Sequence, residues 1–334
     1  MLNIPNKIKE IENVGAGSIT PELLTSQEPF IVRGMINHWP LVNAAKVSNR
    51  NADEYLRQFY NGTPVFSLVA DSKFNGRYFY NDDLCGFNFE RKKLQLTDVL
   101  DKINGVAEDM GSTYYVGSTS VEQILPGMRA DNDLPQVSAN SLVSIWIGDR
   151  SRIAAHYDIP DNLACVAAGK RRFTLFPPEQ LDNLYIGPLD YTPAGQATSL
   201  VDFESPDFER FPKFKQAVQS AKVAELEAGD VIFIPSMWWH HVEGLSEFNI
   251  LVNYWWRQVD LHIGSPMDAL NHALLSIREL PENQRDIWRD IFEYYVFSPQ
   301  EQTHIPESKR GVLNPIDDNL SRQLRAVLLN KLNR

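Results

Sequence analysis

Between Tyr114 and Trp256, short apolar or β-branched runs recur that are too brief for helices. They are Ser141–Ile147, Arg152–Tyr157, Leu163–Ala167, Arg172–Phe176, Val231–Ile234 and Phe248–Trp256. Gly148, Gly169, Pro177-Pro178, Gly229-Asp230 and Gly244 punctuate them. Many short strands broken by Gly and Pro predict a sandwich or closed barrel, architectures that hide sheet edges. The texture differs on either side. Residues 1 to about 105 mix a strand-like Pro29-Phe30-Ile31-Val32 with helical stretches at Asn51 to Tyr60 and Leu96 to Ile103. After Trp256 the helical period takes over, in Met267, Leu270, Leu274 and Ile277, then Ile287, Ile291, Phe292 and Tyr295, and finally Leu320 to Leu332. No internal repeat is visible. The expected organisation is an α/β N-terminal extension over 1–105, a mainly β domain over 106–258 and a helical region over 259–334. The apolar stripes of that last region fit either packing against the barrel or a subunit interface.

Composition narrows the class. At 334 residues, 43% hydrophobic and 22% charged, the chain reads as an ordinary globular protein with room for a sizeable core. Its formal net charge of −11 argues against a nucleic-acid backbone as partner, and no basic run is longer than Lys170-Arg171-Arg172. Cys85 and Cys165 are the only cysteines, which leaves no disulfide framework and no thiolate zinc site. The opening MLNIPNKIKEIENV lacks the apolar core of a secretion signal, and no 18-residue apolar run occurs. The expected compartment is a reducing cytoplasm, with no membrane association.

The chemistry concentrates in two places, His156-Tyr157-Asp158 and Trp238-Trp239-His240-His241. On a strand, residues two apart share a face, so His156 and Asp158 can grip one ion. Two imidazoles and one carboxylate form a facial triad with open positions, the ligand set of non-haem Fe(II) oxygen chemistry. An isolated His-x-Asp is more often a hydrogen-bonded surface pair. For the third ligand, His240 facing inward brings Trp238 and Val242 with it. His241 facing inward would bring Glu243, a buried carboxylate in need of a partner. His240 is the less costly choice. Arg171 shares strand parity with Phe173 and Leu175, whereas Arg172 goes with Thr174 and Phe176. A guanidinium facing in would offer a forked grip on a carboxylate; the bland alternative is a solvated basic turn. Trp146, Trp238, Trp239, Trp255 and Trp256 are mostly expected in the core, with Trp255 the best candidate for a groove.

His-Tyr-Asp, then Gly169-Lys-Arg-Arg-Phe-Thr-Leu-Phe-Pro-Pro, Gly229-Asp-Val-Ile-Phe-Ile-Pro and Trp-Trp-His-His-Val-Glu, resembles the JmjC, or cupin-like, 2-oxoglutarate oxygenases. Within that family the residues look most like the asparaginyl hydroxylases acting on hypoxia-inducible factor. Val201 to Phe214 looks like their insertion between barrel strands, and Asn253-Tyr-Trp255 like their last barrel strand. The resemblance implies a double-stranded β-helix, or jelly roll, with iron held by His156, Asp158 and His240. It places Asn162 and Asn253 near metal and co-substrate, and Tyr115 and Arg171 at the distal carboxylate of 2-oxoglutarate. Two positions depart from the family: Arg171 stands where Lys is usual, and Ile153 where a Thr hydroxyl commonly meets the co-substrate. The implied reaction couples O₂ and 2-oxoglutarate to hydroxylation of a protein or peptide side chain, releasing succinate and CO₂. The same family makes N-methyl-lysine demethylation and RNA-base hydroxylation alternatives, and a barrel binding metal or ligand without turnover is the rival from another class. It also implies a homodimer paired through the C-terminal helices.

Overall fold

A computed structural model describes residues 2–12, 19–105, 111–137, 141–299 and 301–333. Among these residues the strands are β1 (Asn6–Lys7), β2 (Lys9–Glu10), β3 (Phe30–Val32), β4 (Val65–Asp71), β5 (Arg77–Tyr78), β6 (Phe89–Leu94), β7 (Ser112–Ser120), β8 (Leu142–Gly148), β9 (Ser151–His156), β10 (Asp161–Ala168), β11 (Lys170–Phe176), β12 (Lys222–Glu227), β13 (Val231–Ile234), β14 (Trp239–Gly244) and β15 (Asn249–Trp256). They form a six-stranded sheet in the order β1-β12-β11-β14-β9-β5 and a nine-stranded sheet in the order β2-β3-β13-β10-β15-β8-β7-β4-β6. From β8 to β15 the chain alternates between the two sheets except at β11 and β12, which pair within the small sheet, and this winding is the jelly-roll barrel.

The period-2 pattern explains the layering. On β10, Leu163, Cys165 and Ala167 pack outward into one core cluster while Ala164 and Val166 pack into the barrel. The outer layer of the large sheet meets the helices α1 (Pro40–Val47), α2 (Asn49–Phe59) and α3 (Leu96–Ile103), which supply Leu41, Val42, Leu56, Val99 and Leu100. Because β10 is covered on both faces, all eight of its residues are buried. The segment between β11 and β12, which holds the expected insertion Val201 to Phe214, covers the outer face of the small sheet. There Phe203, Phe211 and Phe214 pack with Phe176 and Trp239.

Residues up to Arg257 form one compact unit and Gln258–Arg334 a second. The boundary expected at 105/106 adjoins residues 106–110, which lie outside the described residues. Strands β3, β4 and β6, from before it, belong to the same sheet as β8, β10, β13 and β15. The second unit contains α6 (Pro266–Ser276), α7 (Glu282–Phe292), a π-helical turn at Glu293–Phe297 and α8 (Asp318–Leu332), after the short α4 (Val121–Ile124) and α5 (Phe214–Ser220) of the first. Within it the His262 carbonyl accepts from Ser321 Oγ and Arg325 Nη2, each at 2.6 Å, and tethers the segment before α6 to α8. Neither α6 nor α7 contains a buried residue. Among the described residues no helix is long and apolar enough to cross a membrane.

Candidate metal and co-substrate site

Cross-strand register brings the two histidines together. His156 ends β9 and lies directly opposite His240 on β14, with ring centroids 4.4 Å apart. Asp158 follows β9 in a loop that is fastened to the β13–β14 turn. Met237 N donates to Asp158 O at 2.9 Å, Ser236 N to Asp161 Oδ1 at 2.9 Å, and Ser236 Oγ to Ile159 O at 2.6 Å. Met237 adopts a left-handed φ of 67°, a strained conformation for a side chain with a Cβ, at the turn that launches His240. One ligand atom from each of His156, Asp158 and His240 lies within 4.8 Å of the others.

The orientation of the rings is fixed from behind. His156 Nδ1 lies 2.9 Å from Ala154 O, and His240 Nδ1 lies 3.0 Å from Trp238 O. A backbone carbonyl only accepts, so each Nδ1 carries the proton and each Nε2 presents its lone pair to the common centre. His240 Nε2 stands 3.5 Å from Asp158 Oδ2. Burial, followed by the neighbouring His240, pushes the His156 pKa down to about 4, which keeps it a neutral ligand at physiological pH. The carboxylate is steered by amides: Asn162 Nδ2 donates to Asp158 Oδ2 at 3.4 Å, and Asn253 Nδ2 donates to Asn162 Oδ1 at 2.6 Å. His241 points the other way. It is buried on the outer face of the small sheet against Phe203, ring centroids 4.6 Å apart, and burial holds its pKa down at about 3.

A cavity of about 510 Å³ runs from His156, Asp158 and His240 to Arg171, Tyr115, Asn162, Asn253 and Trp255. Every residue singled out from the sequence as a site candidate therefore lines this one space. Arg171 is 0% exposed, and no carboxylate or backbone carbonyl among the described residues pairs with its guanidinium, whose one polar neighbour is the Tyr115 phenol at the limit of hydrogen-bonding geometry. The Tyr115 phenol is close enough to act on it electrostatically: burial lowers the Arg171 pKa and Tyr115 raises it in part. Guanidinium stays charged in proteins, so an unbalanced cation sits at the closed end of the cavity. Gly148 makes room for Tyr115, since a Cβ there would come within 2.7 Å of Tyr115 Cδ2. Trp146 Nε1, Trp255 Nε1 and Asn253 Oδ1 are also buried without a partner among the described residues, and all three residues line the cavity. Buried polar groups without partners are uncommon in native folds. The donors among them, the two indole N–H groups beside the guanidinium, fit an anionic ligand with several acceptor oxygens, whereas Asn253 Oδ1 can only accept.

The wall between these ends is apolar, formed by Phe173, Ile234, Val242 and Leu251. Ile153 lines it too, so an apolar side chain replaces the hydroxyl the family commonly offers. Of these wall residues the sequence reading missed Ile234 and Leu251, and it expected Trp146 in the core. Strand parity placed Val242 with His240 and Phe173 with Arg171, and both line the cavity. Arg172 lies on the outer face, paired with Glu225 at 2.6 Å and Glu243 at 3.4 Å.

A barrel with this donor set is the hallmark of the cupin-like, JmjC-type proteins, and the chain belongs to them: the cupin-like domain family matches residues 17–262. Among similar proteins is tRNA wybutosine-synthesizing protein 5 of Gallus gallus, 32% identical over 148 residues, covering 40% of this chain and 43% of that protein. The human bifunctional peptidase and (3S)-lysyl hydroxylase JMJD7 is 27% identical over 259 residues, 68% of this chain and 77% of the relative. Lysine-specific demethylase 8 of Xenopus tropicalis is 26% identical over 241 residues, 70% of this chain and 49% of its own length. The chain thus spans less than half the length of the wybutosine-synthesizing and demethylase relatives. At the level of the family, these names point to an oxygenase.

Proposed function

We propose that the protein is an Fe(II)- and 2-oxoglutarate-dependent oxygenase that hydroxylates a side chain of a protein or peptide. The observation that carries this reading is the cavity itself. At one end two imidazoles, each held by Nδ1, aim their Nε2 atoms at a carboxylate; at the other lies a buried guanidinium with no carboxylate partner among the described residues. In this reading His156, Asp158 and His240 hold the iron. Arg171, with Tyr115 beside it, takes the distal carboxylate of 2-oxoglutarate, and Trp255 closes the wall. Held by these residues, iron and 2-oxoglutarate would supply O₂ activation coupled to oxidative decarboxylation of the co-substrate to succinate and CO₂. The chain's own contribution is positional. Carbonyl contacts fix the histidine tautomers, Asn253 and Asn162 fix the carboxylate, and Phe173, Ile234, Val242 and Leu251 keep water from the co-substrate. The motif resemblance to asparaginyl hydroxylases favours hydroxylation over demethylation. Similarity to a tRNA wybutosine-synthesizing protein favours a second reading, with an RNA base as substrate. The test is succinate formation by anaerobically purified, iron-loaded protein given 2-oxoglutarate and O₂, alone and with peptide or tRNA. Succinate is expected from the wild type and none from Asp158→Ala. Iron and 2-oxoglutarate binding without succinate under any condition would make the protein a non-catalytic barrel.

A further inference from the structure

The cavity does not end at the barrel. Its lining continues over Tyr115 on β7 and Phe66 and Leu68 on β4 to Arg91 on β6. The register across these strands is direct: Tyr115 opposes Leu68, Leu68 opposes Arg91, and Phe66 opposes Lys93. Residues opposed in this way share a sheet face, and each strand step is about 4.8 Å, so Arg91 stands about 10 Å from Tyr115 along the trough floor. Phe89, two residues earlier on the same face, packs its ring 5.9 Å from Tyr78, which confirms the facing of Arg91 and Lys93. Phe66 is 58% exposed between this floor and solvent. Neither Arg91 nor Lys93 has an ion-pair partner among the described residues. Lys92, on the opposite face, is paired with Glu90 at 3.0 Å. Lysine on a terminal strand blunts edge-to-edge pairing, and that accounts for Lys92. It does not account for Arg91, which lines the cavity, or for Lys93, which opposes the lining residue Phe66 on the same sheet face.

Resting on the oxygenase reading above, we propose that Arg91 and Lys93, with Phe66 beside them, form a subsite for acidic residues that flank the oxidised side chain of a protein substrate. Charge selects the occupant. A nucleic-acid strand needs a track of cations along its phosphates, whereas this face offers Arg91 and the neighbouring Lys93, and the only other cation of the cavity lining among the described residues is the buried Arg171. One or two carboxylates, with an apolar neighbour to lie on Phe66, match two cations and one exposed ring.

The test is fluorescence anisotropy of the full chain, without iron or O₂, at low ionic strength. The probes are a fluorescein-labelled 12-residue peptide carrying four glutamates, its all-glutamine counterpart, and a 12-nucleotide oligouridylate. The acidic peptide should bind about fivefold tighter than the glutamine peptide, as two exposed ion pairs would give. Arg91→Glu/Lys93→Glu should abolish that preference, while Lys92→Glu keeps it. If the double reversal does not fold, Arg91→Gln/Lys93→Gln should abolish the preference instead. Equal binding of the two peptides, or an oligouridylate affinity that falls with the same variants, overturns the proposal. Because binding is read without turnover, its failure is separate from failure of the oxygenase reading, which succinate formation decides.

Discussion

Replacing Arg171 by Met should change two quantities in opposite directions. In the ligand-free protein Arg171 is 0% exposed, with the neutral Tyr115 phenol beside it and no carboxylate to balance its charge among the described residues. Leaving a polar or charged group buried and unpaired costs about 1–3 kcal/mol or more, and an apolar side chain of similar length removes that cost. Arg171→Met should therefore stabilise the ligand-free protein by about 1–3 kcal/mol. At roughly 2–4 °C per kcal/mol for a unit of this size, the melting temperature should rise by several degrees. The ligand response should move the other way. At 2-oxoglutarate one hundredfold above its dissociation constant, wild type gains about 2.7 kcal/mol by mass action. Truncating one partner of a buried charge pair costs about 2–5 kcal/mol, which weakens binding at least about thirtyfold. The variant at the same concentration would then gain under about 1 kcal/mol. Thermal denaturation of Mn(II)-loaded protein, with and without 2-oxoglutarate, measures both quantities in one experiment. Arg172→Ala serves as control, since that side chain is paired on the outer face, and it should leave the ligand-induced shift in place. A lower ligand-free melting temperature for Arg171→Met, together with an undiminished shift, would refute the assignment.

His240→Ala should abolish Fe(II) binding in calorimetry, whereas His241→Ala, whose ring packs on Phe203, should retain it; the reverse result exchanges the ligand. Asp149 has its pKa raised to about 7 by burial, so the folded state holds a proton that the unfolded carboxyl releases near 4. Stability contributed by the protonated form is thus full below about pH 4 and lost as pH rises through 7. Asp149→Asn should accordingly gain more in melting temperature over wild type at pH 8 than at pH 5, and an equal gain at both would exclude this titration. The exposed Leu270, Leu275, Ile287 and Trp288 of α6 and α7 lead to the expectation of a homodimer, since obligate interfaces are rich in such residues. Light scattering across a dilution series should give twice the chain mass and Leu274→Glu should lower it, while a wild-type mass near 38.1 kDa at micromolar concentration rejects the dimer.

Strand parity made much of the barrel legible. Val231–Ile234 is a strand over the expected residues, and β8 to β11 and β15 begin and end within two residues of the apolar runs. The helical runs at Leu96–Ile103 and Asn51–Tyr60 also form α3 and α2. What escaped were strands whose residues carry charge. β6 reads Phe-Glu-Arg-Lys-Lys-Leu and β12 reads Lys-Val-Ala-Glu-Leu-Glu, each with an exposed or polar-facing side. Pairing with β4 and with β11 makes them strands, and the local pattern does not record that pairing. Tertiary hydrogen bonds were hidden for a similar reason. Asn253 and Asn162 are 91 residues apart in sequence, and only the pairing of β15 with β10 brings them to 2.6 Å.

Arginine at position 171 changes the physics of an otherwise familiar pocket. A buried lysine can escape the cost of desolvation by losing its proton, because its ordinary pKa of about 10.4 leaves room for burial to bring it near neutrality. Guanidinium starts above 12, so although burial lowers the Arg171 pKa the group remains a cation. The pocket therefore cannot relax to a neutral empty state. It is cationic at every physiological pH, and the cost is borne by the ligand-free protein until a carboxylate arrives. A planar fork also fixes direction, since two parallel N–H groups favour a carboxylate presented edge-on, where an ammonium accepts one from many angles. On the oxygenase reading proposed above, this rigidity would compensate for Ile153, which offers no hydroxyl to orient the same ligand. The two departures from the family pattern would then act as one adjustment, with orientation moved from a wall hydroxyl to the buried guanidinium. Arg171→Lys should for that reason lose affinity for 2-oxoglutarate, and Ile153→Thr in that background should recover part of it, both read by calorimetry. Full affinity in Arg171→Lys alone would show that the fork contributes nothing beyond its charge.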